Sequence, residues 1–201
     1  MQVLKEKTRN TIIACAEQLF ARKGFNSTTV DEIARNASIS KGNLYLYFKN
    51  KKDLFSSVVP PEIADKISDL IMKRIQAVIN PAGDKSAHNR AGEELVGFLI
   101  ENRLKFLIMI NPYNSSIIGP LRQNVIQGAC NAYEIFRKTI KNGSSELPAK
   151  SVHRALITML YDNLLTMIGQ ILCIDRNSSE YAFLLEYLFL YHYNGIISIP
   201  V

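Results

Sequence analysis

The sequence predicts an all-α protein with two parts, a three-helix helix-turn-helix head over residues 1–55 and a helical body over residues 56–201. Apolar residues recur at spacings of three and four along the chain, which is the pattern of a buried helix face. Capping residues at Thr29, Ser40 and Asn50 mark the starts of short helices near the N-terminus. Most of the excess positive charge lies in the same region, so the two parts differ in the partners they suit.

Composition limits the class of protein. The apolar fraction of 47% supports a packed core. No run of about 18 uncharged apolar residues and no signal-peptide core is present, so we expect a cytoplasmic protein without a membrane partner. The three cysteines, Cys15, Cys130 and Cys173, are far apart, and no cysteine or histidine spacing indicates zinc. We therefore expect reduced thiols, no metal and no cofactor.

The excess positive charge is concentrated towards the N-terminus. Residues 1–59 contain ten lysines and arginines against five acids, whereas residues 60–201 contain fourteen against thirteen. A basic segment joined to a nearly neutral remainder is typical of a protein that binds nucleic acid. A solvated basic surface without a partner is the simpler alternative.

The first two helices are recognised by their ends. A helix is predicted over about residues 5–23, followed by Gly24 in a left-handed conformation and by Phe25 as its hydrophobic contact. Thr29 caps the second helix, and Glu32 three residues later completes a capping box. This second helix is predicted to be about two turns long.

Residues 38–48 predict a tight polar turn and a short helix. Ser40 is a good N-cap, and Leu44 and Phe48, four apart, share the face that can be buried. The positions left to point elsewhere are Lys41, Gly42, Asn43, Tyr45 and Tyr47. These positions supply a cation, a backbone without a side chain, an amide and two phenols. Such a surface suits a polyanion with hydrogen-bonding edges. An ordinary amphipathic surface helix is the alternative. Two helices joined by a turn of about three residues form the helix-turn-helix plan, whose second helix enters the major groove of DNA.

The rest of the chain is predicted to be helical. One helix runs from Lys51 to about Val59, with Asn50 as its cap, and Pro60 and Pro61 interrupt the chain after it. A loop is expected to extend to about Ala91. The remaining helices are predicted over about residues 62–80, 93–110, 116–142, 148–174 and 179–196.

The last two predicted helices are apolar on almost all sides. Such helices must be covered all round, and a twofold mate can cover two outer helices that one thin domain cannot. The pattern therefore predicts a homodimer, with an ordinary monomeric core as the alternative. The residues that carry it are Leu156, Ile157, Leu160, Leu164, Ile168, Ile171, Phe183, Leu184, Tyr187, Leu188, Leu190 and Tyr191.

An ordered set of residues between about positions 8 and 58 resembles the TetR family of bacterial transcriptional regulators. The set consists of Gly24-Phe25, Thr28-Thr29-Val30, Ile33-Ala34, Ser40-Lys41-Gly42-Asn43-Leu44-Tyr45, Tyr47-Phe48, Lys51 and Leu54. The sequence departs from the family in the turn at Asn36-Ala37-Ser38-Ile39, where the family more often has Ala-Gly-Val. We expect this change to be mild, and no motif in the remainder of the chain matches.

The resemblance implies a DNA-binding head, a homodimer joined through its last helices as a four-helix bundle, and a body whose small-molecule effector releases the DNA. A twofold dimer reads two half-sites, so the expected partner is a pseudopalindromic double-stranded DNA operator. The positions that match the family's DNA contacts are Thr29, Ser40, Lys41, Gly42, Asn43, Tyr45, Tyr47 and Lys51.

These DNA-contact positions carry suitable chemistry. Lys41 can reach a guanine edge or a phosphate, and Asn43 can pair with adenine or a phosphate. Thr29 and Lys51 lie at helix N-termini, where free N–H groups favour phosphate. In the structural alternatives, Tyr45 packs partly in the core and Thr29 acts only as a cap.

Polar residues on otherwise apolar helices are candidates for an effector pocket. They are Asn102, Tyr113, Gln127, Tyr133, Tyr161 and Asn163. Each such residue is more often a satisfied core residue or a surface residue than a ligand contact. Apolar surroundings with tyrosines suit a hydrophobic or aromatic effector, whereas acids such as Glu101 or Asp162 would suit a cation.

Three classes of function compete. A ligand-responsive repressor comes first, and a DNA-binding activator or architectural protein without an effector comes second. A body without a cavity would favour the second class. An enzyme is the weakest class, because no nucleophile–base pair, metal spacing or phosphate loop is present and His88, His153 and His192 are isolated.

Overall fold

The structure, a computed structural model, describes residues 2–79, 85–111, 121–140 and 150–197. All regular elements in these ranges are α-helices, so the predicted all-α class is confirmed. The helices are α1 Gln2–Ser27, α2 Val30–Asn36, α3 Lys41–Leu44, α4 Lys51–Val58, α5 Pro61–Ile79, α6 Lys85–Glu101, α7 Arg103–Ile110, α8 Leu121–Ile140, α9 Lys150–Cys173 and α10 Ser178–Ile197.

Two parts of the predicted helix pattern are wrong. The loop expected to extend to Ala91 is helical from Lys85 onwards, because the residues after the Pro-Gly break contain no further helix breaker before Gly92. The single helix expected over residues 93–110 is two helices, α6 and α7, separated at Asn102. The Asn102 side chain donates a hydrogen bond to the Phe98 carbonyl 3.1 Å away, so its amide serves its own helix end.

Gly24 breaks α1 in a way that the sequence only half predicted. Its φ of 78° is positive as expected, but its ψ of 167° is extended rather than left-handed helical. This region of backbone conformation is open almost only to glycine. The helix direction changes there, and α1 continues to Ser27.

The chain divides into two compact units. The first unit is formed by Met1–Ala64 with Leu104–Gly119, and the second by Asp65–Arg103 with Pro120–Val201. In the first unit, Lys105 of α7 forms an ion pair of 3.0 Å with Glu17 of α1. The boundary at residue 55 stays a prediction for the DNA-binding domain.

The core of the first unit is built from the predicted helix faces. Three aromatic rings meet in it, with ring centroids 5.7 Å apart for Phe20 and Phe25, 5.1 Å for Phe20 and Phe55, and 5.0 Å for Phe25 and Phe55. Fully or almost fully buried side chains around them are Ile12, Ala16, Leu19, Ile33, Ala34, Leu44, Phe48, Leu54 and Val58. Burial of these faces orients α2 and α3.

The second unit packs α9 mainly against α8 and α10, and α10 also against α6. Among the described residues, α9 is the one helix long and apolar enough to cross a membrane, a test that core helices of globular proteins also pass. Its buried side includes Ile157, Tyr161 and Leu165. The core of the second unit also contains polar side chains, of which Arg74 and His153 are 4% and 5% exposed.

Candidate nucleic-acid interface and effector site

The start of α2 is held by the predicted capping box. The Thr29 hydroxyl accepts a hydrogen bond from the Glu32 N–H at 3.2 Å, and the Thr29 N–H donates to the Glu32 carboxylate at 3.1 Å. The ammonium of Lys23, 2.6 Å from that carboxylate, and the Thr29 N–H lower the pKa of Glu32 to about 2. Thr29 is thus a cap, and its predicted phosphate contact stays a prediction.

The turn between α2 and α3 is a Schellman motif with a serine at its left-handed position. The Ile39 N–H donates to the Ala34 carbonyl at 2.9 Å, and the Ser38 N–H donates to the Arg35 carbonyl at 3.1 Å. Ser38 has a φ of 57°. The turn therefore has a backbone conformation that glycine adopts without strain, which explains how Ser38 replaces the glycine more common in the family.

The short helix α3 presents most of its polar side chains outward. The Ser40 hydroxyl accepts the Asn43 N–H at 3.1 Å, which confirms Ser40 as the N-cap. Leu44 and Phe48 are 0% and 2% exposed and attach the helix to the core, as predicted. We call the outward positions the recognition surface; they are Lys41, Gly42, Asn43, Tyr45, Leu46 and Tyr47. Of these, Asn43 and Tyr47 are half-buried and the others are exposed.

Leu46 is the residue of this surface that the sequence analysis missed. It is 81% exposed, next to Tyr45 at 44%. The signal was available, because Leu46 lies two positions from both buried residues Leu44 and Phe48 and so faces away from them. An exposed leucine beside two phenols suits thymine methyl groups.

Lys41 is paired within its own chain. Its ammonium lies 2.9 Å from the Asp31 carboxylate of α2, and both side chains are about half exposed. The hydrogen bond to Asp31 raises the pKa of Lys41, so the lysine is charged at neutral pH. Because the pair is open to solvent, its strength is small and the lysine can exchange partners.

Gly42 has no internal reason to be a glycine. A Cβ atom added there would meet only the Ser40 hydroxyl oxygen at 4.0 Å. The backbone at Gly42 is therefore open to close approach from outside the chain, and its predicted DNA contact stays a prediction.

Lys51 is placed differently from the sequence expectation. Its ammonium donates to the carbonyls of Phe25 at 2.7 Å and Thr28 at 2.8 Å, and lies 4.1 Å from the centre of the Phe25 ring. Burial lowers its pKa. Lys51 thus connects the start of α4 to the end of α1 and to Thr28 just after it, and two of its three protons are in use. Its phosphate contact stays a prediction that involves the third proton.

Comparison with known proteins finds a family match within the first unit. The model for the family described as bacterial regulatory proteins, tetR family, matches residues 12–58. The transcriptional regulator YuxN of Bacillus subtilis is 50% identical over 56 residues, which are 28% of this chain and 19% of YuxN. Residues 12–58 of this chain are thus similar to the TetR family. The transcriptional repressor BepR of Brucella suis is 40% identical over 53 residues, which are 26% of this chain and 25% of BepR.

The curated relatives are matched over only about a fifth to a third of their own lengths. Solved structures extend the likeness of fold along the chain. A TetR-family transcriptional regulator from Bordetella parapertussis covers 96% of this chain and 97% of its own at 18% identity, with a TM-score of 0.57. A TetR-like regulator from Rhodococcus sp. RHA1 covers 95% and 96% at 19% identity, with a TM-score of 0.55. YuxN and BepR are both described as transcriptional regulators of the helix-turn-helix type.

The six effector-site candidates are not all brought together. Tyr133 and Tyr161 are buried with ring centroids 6.5 Å apart. Gln127 and Asn163 are exposed, and Gln127 accepts a hydrogen bond from Arg154 at 2.6 Å. Asn102 is half-buried, and Tyr113 lies outside the described residues. All six stay predictions as ligand contacts.

Arg74, His153 and His192 are buried polar residues of the second unit that were not among the predicted effector contacts. Arg74 lies seven residues after Ile67, on the apolar stripe of α5, and a charge on such a stripe is a signal that could have been used. No group of metal-binding side chains occurs in the part of the chain that the structure describes.

Proposed function

We propose that this protein is a TetR-family, ligand-responsive transcriptional repressor, which binds a pseudopalindromic operator as a homodimer and leaves it when a small molecule binds the second unit. The observation that carries the proposal is the recognition surface: its caps and apolar attachments are internal, while Lys41, Gly42 and Leu46 face outward. A short helix presented in this way suits the major groove. The name of BepR as a repressor supports the direction of regulation.

Exposed apolar side chains of the second unit support a homodimer. On α10, Phe183 and Tyr187 stack with ring centroids 4.5 Å apart and are 57% and 61% exposed. On α9, Met159 is 69% exposed. Large exposed apolar residues on adjacent helices mark an interface in soluble proteins, and these lie on the two helices expected to form a four-helix bundle.

The described part of the second unit offers an enclosed cavity, an open cleft and a third pocket of about 180 Å³ that is lined by Glu134, His153 and Arg154. The cavity between α5, α8, α9 and α10 has room for only about one water, about 10 Å³. The cleft beside it, lined by Arg74, Asn89, Phe189 and Leu190, has a volume of about 400 Å³. The small cavity favours the second candidate, a DNA-binding regulator without an effector, whereas the cleft and the buried polar groups favour the first.

DNA binding is tested by fluorescence anisotropy with duplexes selected from a random library and with the DNA upstream of its own coding sequence. Lys41→Ala is compared with Lys66→Ala, because both lysines are about half exposed and both pair with an acid. We expect Lys41→Ala to weaken the selected site about tenfold or more per half-site and Lys66→Ala to leave it unchanged. Equal effects of the two variants, or no selected duplex, would contradict the proposal.

A further inference from the structure

Arg74 is a buried cation without an anion. It is 4% exposed on α5. Its guanidinium donates one hydrogen bond to the Phe189 carbonyl at 2.9 Å and lies 4.3 Å from the centre of the Phe189 ring. Its Nε–H has no acceptor, and no carboxylate of the described residues forms an ion pair with it. Burial lowers its pKa to about 10, so it stays charged at neutral pH.

Two buried phenols lie near this cation, and a buried imidazole lies beyond one of them. Among the described residues, the hydroxyls of Tyr133 on α8 and Tyr161 on α9 have no hydrogen-bond partner other than each other, and the Nε2 of His153 has none. The Tyr133 ring centroid lies 6.3 Å from that of His153 and 6.5 Å from that of Tyr161. Burial raises the pKa of both tyrosines, so both keep an O–H to donate. We call Arg74, Tyr133 and Tyr161 the Arg74 cluster.

Unsatisfied buried polar groups are rare in native proteins and need an explanation. A buried charge without a partner is more costly than a neutral group, and an apolar residue of similar size is often at least as stable in its place. Packing of the second unit therefore does not explain the Arg74 cluster. A bound group that accepts several hydrogen bonds and carries a negative charge would explain both the cation and the unused donors.

Arg74 also lies where such a group can arrive. It lines the enclosed cavity together with Tyr161, and it lines the open cleft of about 400 Å³. Phe189 and Leu190 supply an apolar wall to that cleft. Glu93 and Glu186 also line it, but both are exposed and their charges are solvated, whereas the charge of Arg74 is not.

We propose that the Arg74 cluster binds the carboxylate of a small amphipathic acid, whose apolar part lies against Phe189 and Leu190. The inference rests on the proposed function, because this acid is then the effector. A carboxylate only accepts hydrogen bonds, and its geometry matches the guanidinium fork. A neutral ligand would leave the buried charge unpaired, and a cation would be repelled by it.

The first experiment compares matched acids and amides on the full chain without DNA. Sodium octanoate, octanamide, sodium benzoate and benzamide are titrated by calorimetry, so that each pair differs in charge but hardly in shape. We expect one of the acids to bind about tenfold or more tightly than its amide, as charge-assisted hydrogen bonds require. Equal binding within both pairs, or no binding by either acid, would overturn the proposal.

The second experiment locates the charge preference with variants. Arg74→Met should lose the acid preference, Arg74→Lys should keep a weaker one, and Tyr161→Phe should lower acid affinity severalfold. Arg122→Met is the matched control, because Arg122 of the same unit already pairs with the Asp162 carboxylate. We expect Arg122→Met to keep the full preference. An Arg74→Met protein that still prefers the acid, or a Tyr161→Phe protein that binds it unchanged, would overturn the proposal.

Stability without any ligand separates this role from a structural one. Burying this cation without an anion costs at least as much free energy as its one hydrogen bond to the Phe189 carbonyl and its ring contact return. Arg74→Met should therefore need at least as much urea to unfold as the natural chain. A clear decrease in the midpoint, or an Arg74→Met chain that fails to fold, would assign Arg74 to structure and overturn the proposal. Since none of these measurements uses DNA, their failure would leave DNA binding by α3 intact, and failure to bind DNA would leave acid binding measurable.

Discussion

The two units use their polar side chains in opposite ways. In the first unit, the interior is apolar around three phenylalanine rings, and side chains such as Lys41 and Asn43 project from α3 once Ser40 has capped it. In the second unit, the exposed faces of α9 and α10 carry apolar residues, while Arg74 and Tyr161 are enclosed. Exposed polar groups such as those of α3 suit partners that are recognised by shape and charge in water. Enclosed polar groups such as Arg74 suit a partner that supplies the hydrogen bonds which water does not provide.

The largest expected effect separates two leucines that are two residues apart in the first unit. Leu44 is 0% exposed and Leu46 is 81% exposed. Leu44→Ala should lower the free energy of unfolding by about 2–5 kcal/mol, because a cavity replaces a buried side chain. Leu46→Ala should change it by less than about 0.5 kcal/mol and should weaken DNA binding instead. Urea titration and anisotropy check the pair, and a stability loss in Leu46→Ala would remove Leu46 from the recognition surface.

Lys51 is a test of whether a lysine of the first unit stabilises the fold rather than binding DNA alone. Replacing it by methionine leaves the carbonyls of Phe25 and Thr28 without this donor, so we expect a loss of about 1–3 kcal/mol in urea titrations. If its third proton also contacts a phosphate, the salt slope of DNA binding falls by about one unit. Unchanged stability with a smaller slope would show that the lysine belongs with the outward-facing group. Lys52→Met, at an exposed neighbouring position, is the control for stability.

Gly42 separates recognition from folding. Because a Cβ there meets nothing closer than 4.0 Å, Gly42→Ala should keep or raise stability by up to about 1 kcal/mol, through helix propensity. DNA affinity should fall, because the added methyl group stands between the backbone and the duplex. Melting temperature and anisotropy are measured on the same preparation, and unchanged affinity would contradict a close approach of the duplex at this position.

Ser38→Gly is expected to have a small effect in the same unit. The φ of 57° at Ser38 costs a non-glycine residue strain that glycine avoids. The gain is partly offset by the greater freedom of glycine in the unfolded chain, so we expect at most about 1 kcal/mol of added stability. A destabilised Ser38→Gly protein would show that the serine side chain has a role beyond the turn.

Acid titration should begin to destabilise the two units in different pH ranges. Burial, with Arg137 nearby, lowers the pKa of His153 below its usual 6.5, so the unfolded chain binds the proton better and the second unit loses stability as pH falls through that value. The pKa of Glu32 is about 2 against an ordinary 4.5, so the first unit keeps this contribution above pH 4.5 and loses it between 4.5 and 2. Hydrogen exchange measured separately for each unit shows which unit loses stability first as the pH falls. In the control variants His153→Gln and Glu32→Gln, the corresponding part of the pH dependence should be absent.

Local spacing made much of the first unit predictable. The capping box of Thr29 and Glu32, the cap at Ser40 and the buried pair Leu44 and Phe48 each involve residues within four positions. Lys51 was not predictable in this way, because its carbonyl partners lie 26 and 23 residues earlier and meet it only in the folded chain.

The interior of the second unit was harder to foresee for the same reason. Arg74, Tyr133 and Tyr161 lie on α5, α8 and α9, and periodicity assigns each residue to a face without saying which faces meet. The helical stretch from Lys85 was missed because it is polar and follows a Pro-Gly break, so the apolar pattern that marks other helices is absent there. Prediction from one sequence was thus reliable where a few neighbouring residues decide the geometry.

The Lys41–Asp31 ion pair affects which DNA sites α3 would bind well. In the proposed DNA complex, Lys41 keeps its charge but must leave Asp31, so a lone phosphate only exchanges one anion for another. A duplex that also offers a guanine edge to Lys41 would add a hydrogen bond, while Asp31 is released to water. The new contacts would then outweigh the lost ion pair. Asp31 would thus compete with DNA phosphates for Lys41. This competition would lower the affinity for non-specific DNA more than the affinity for the operator.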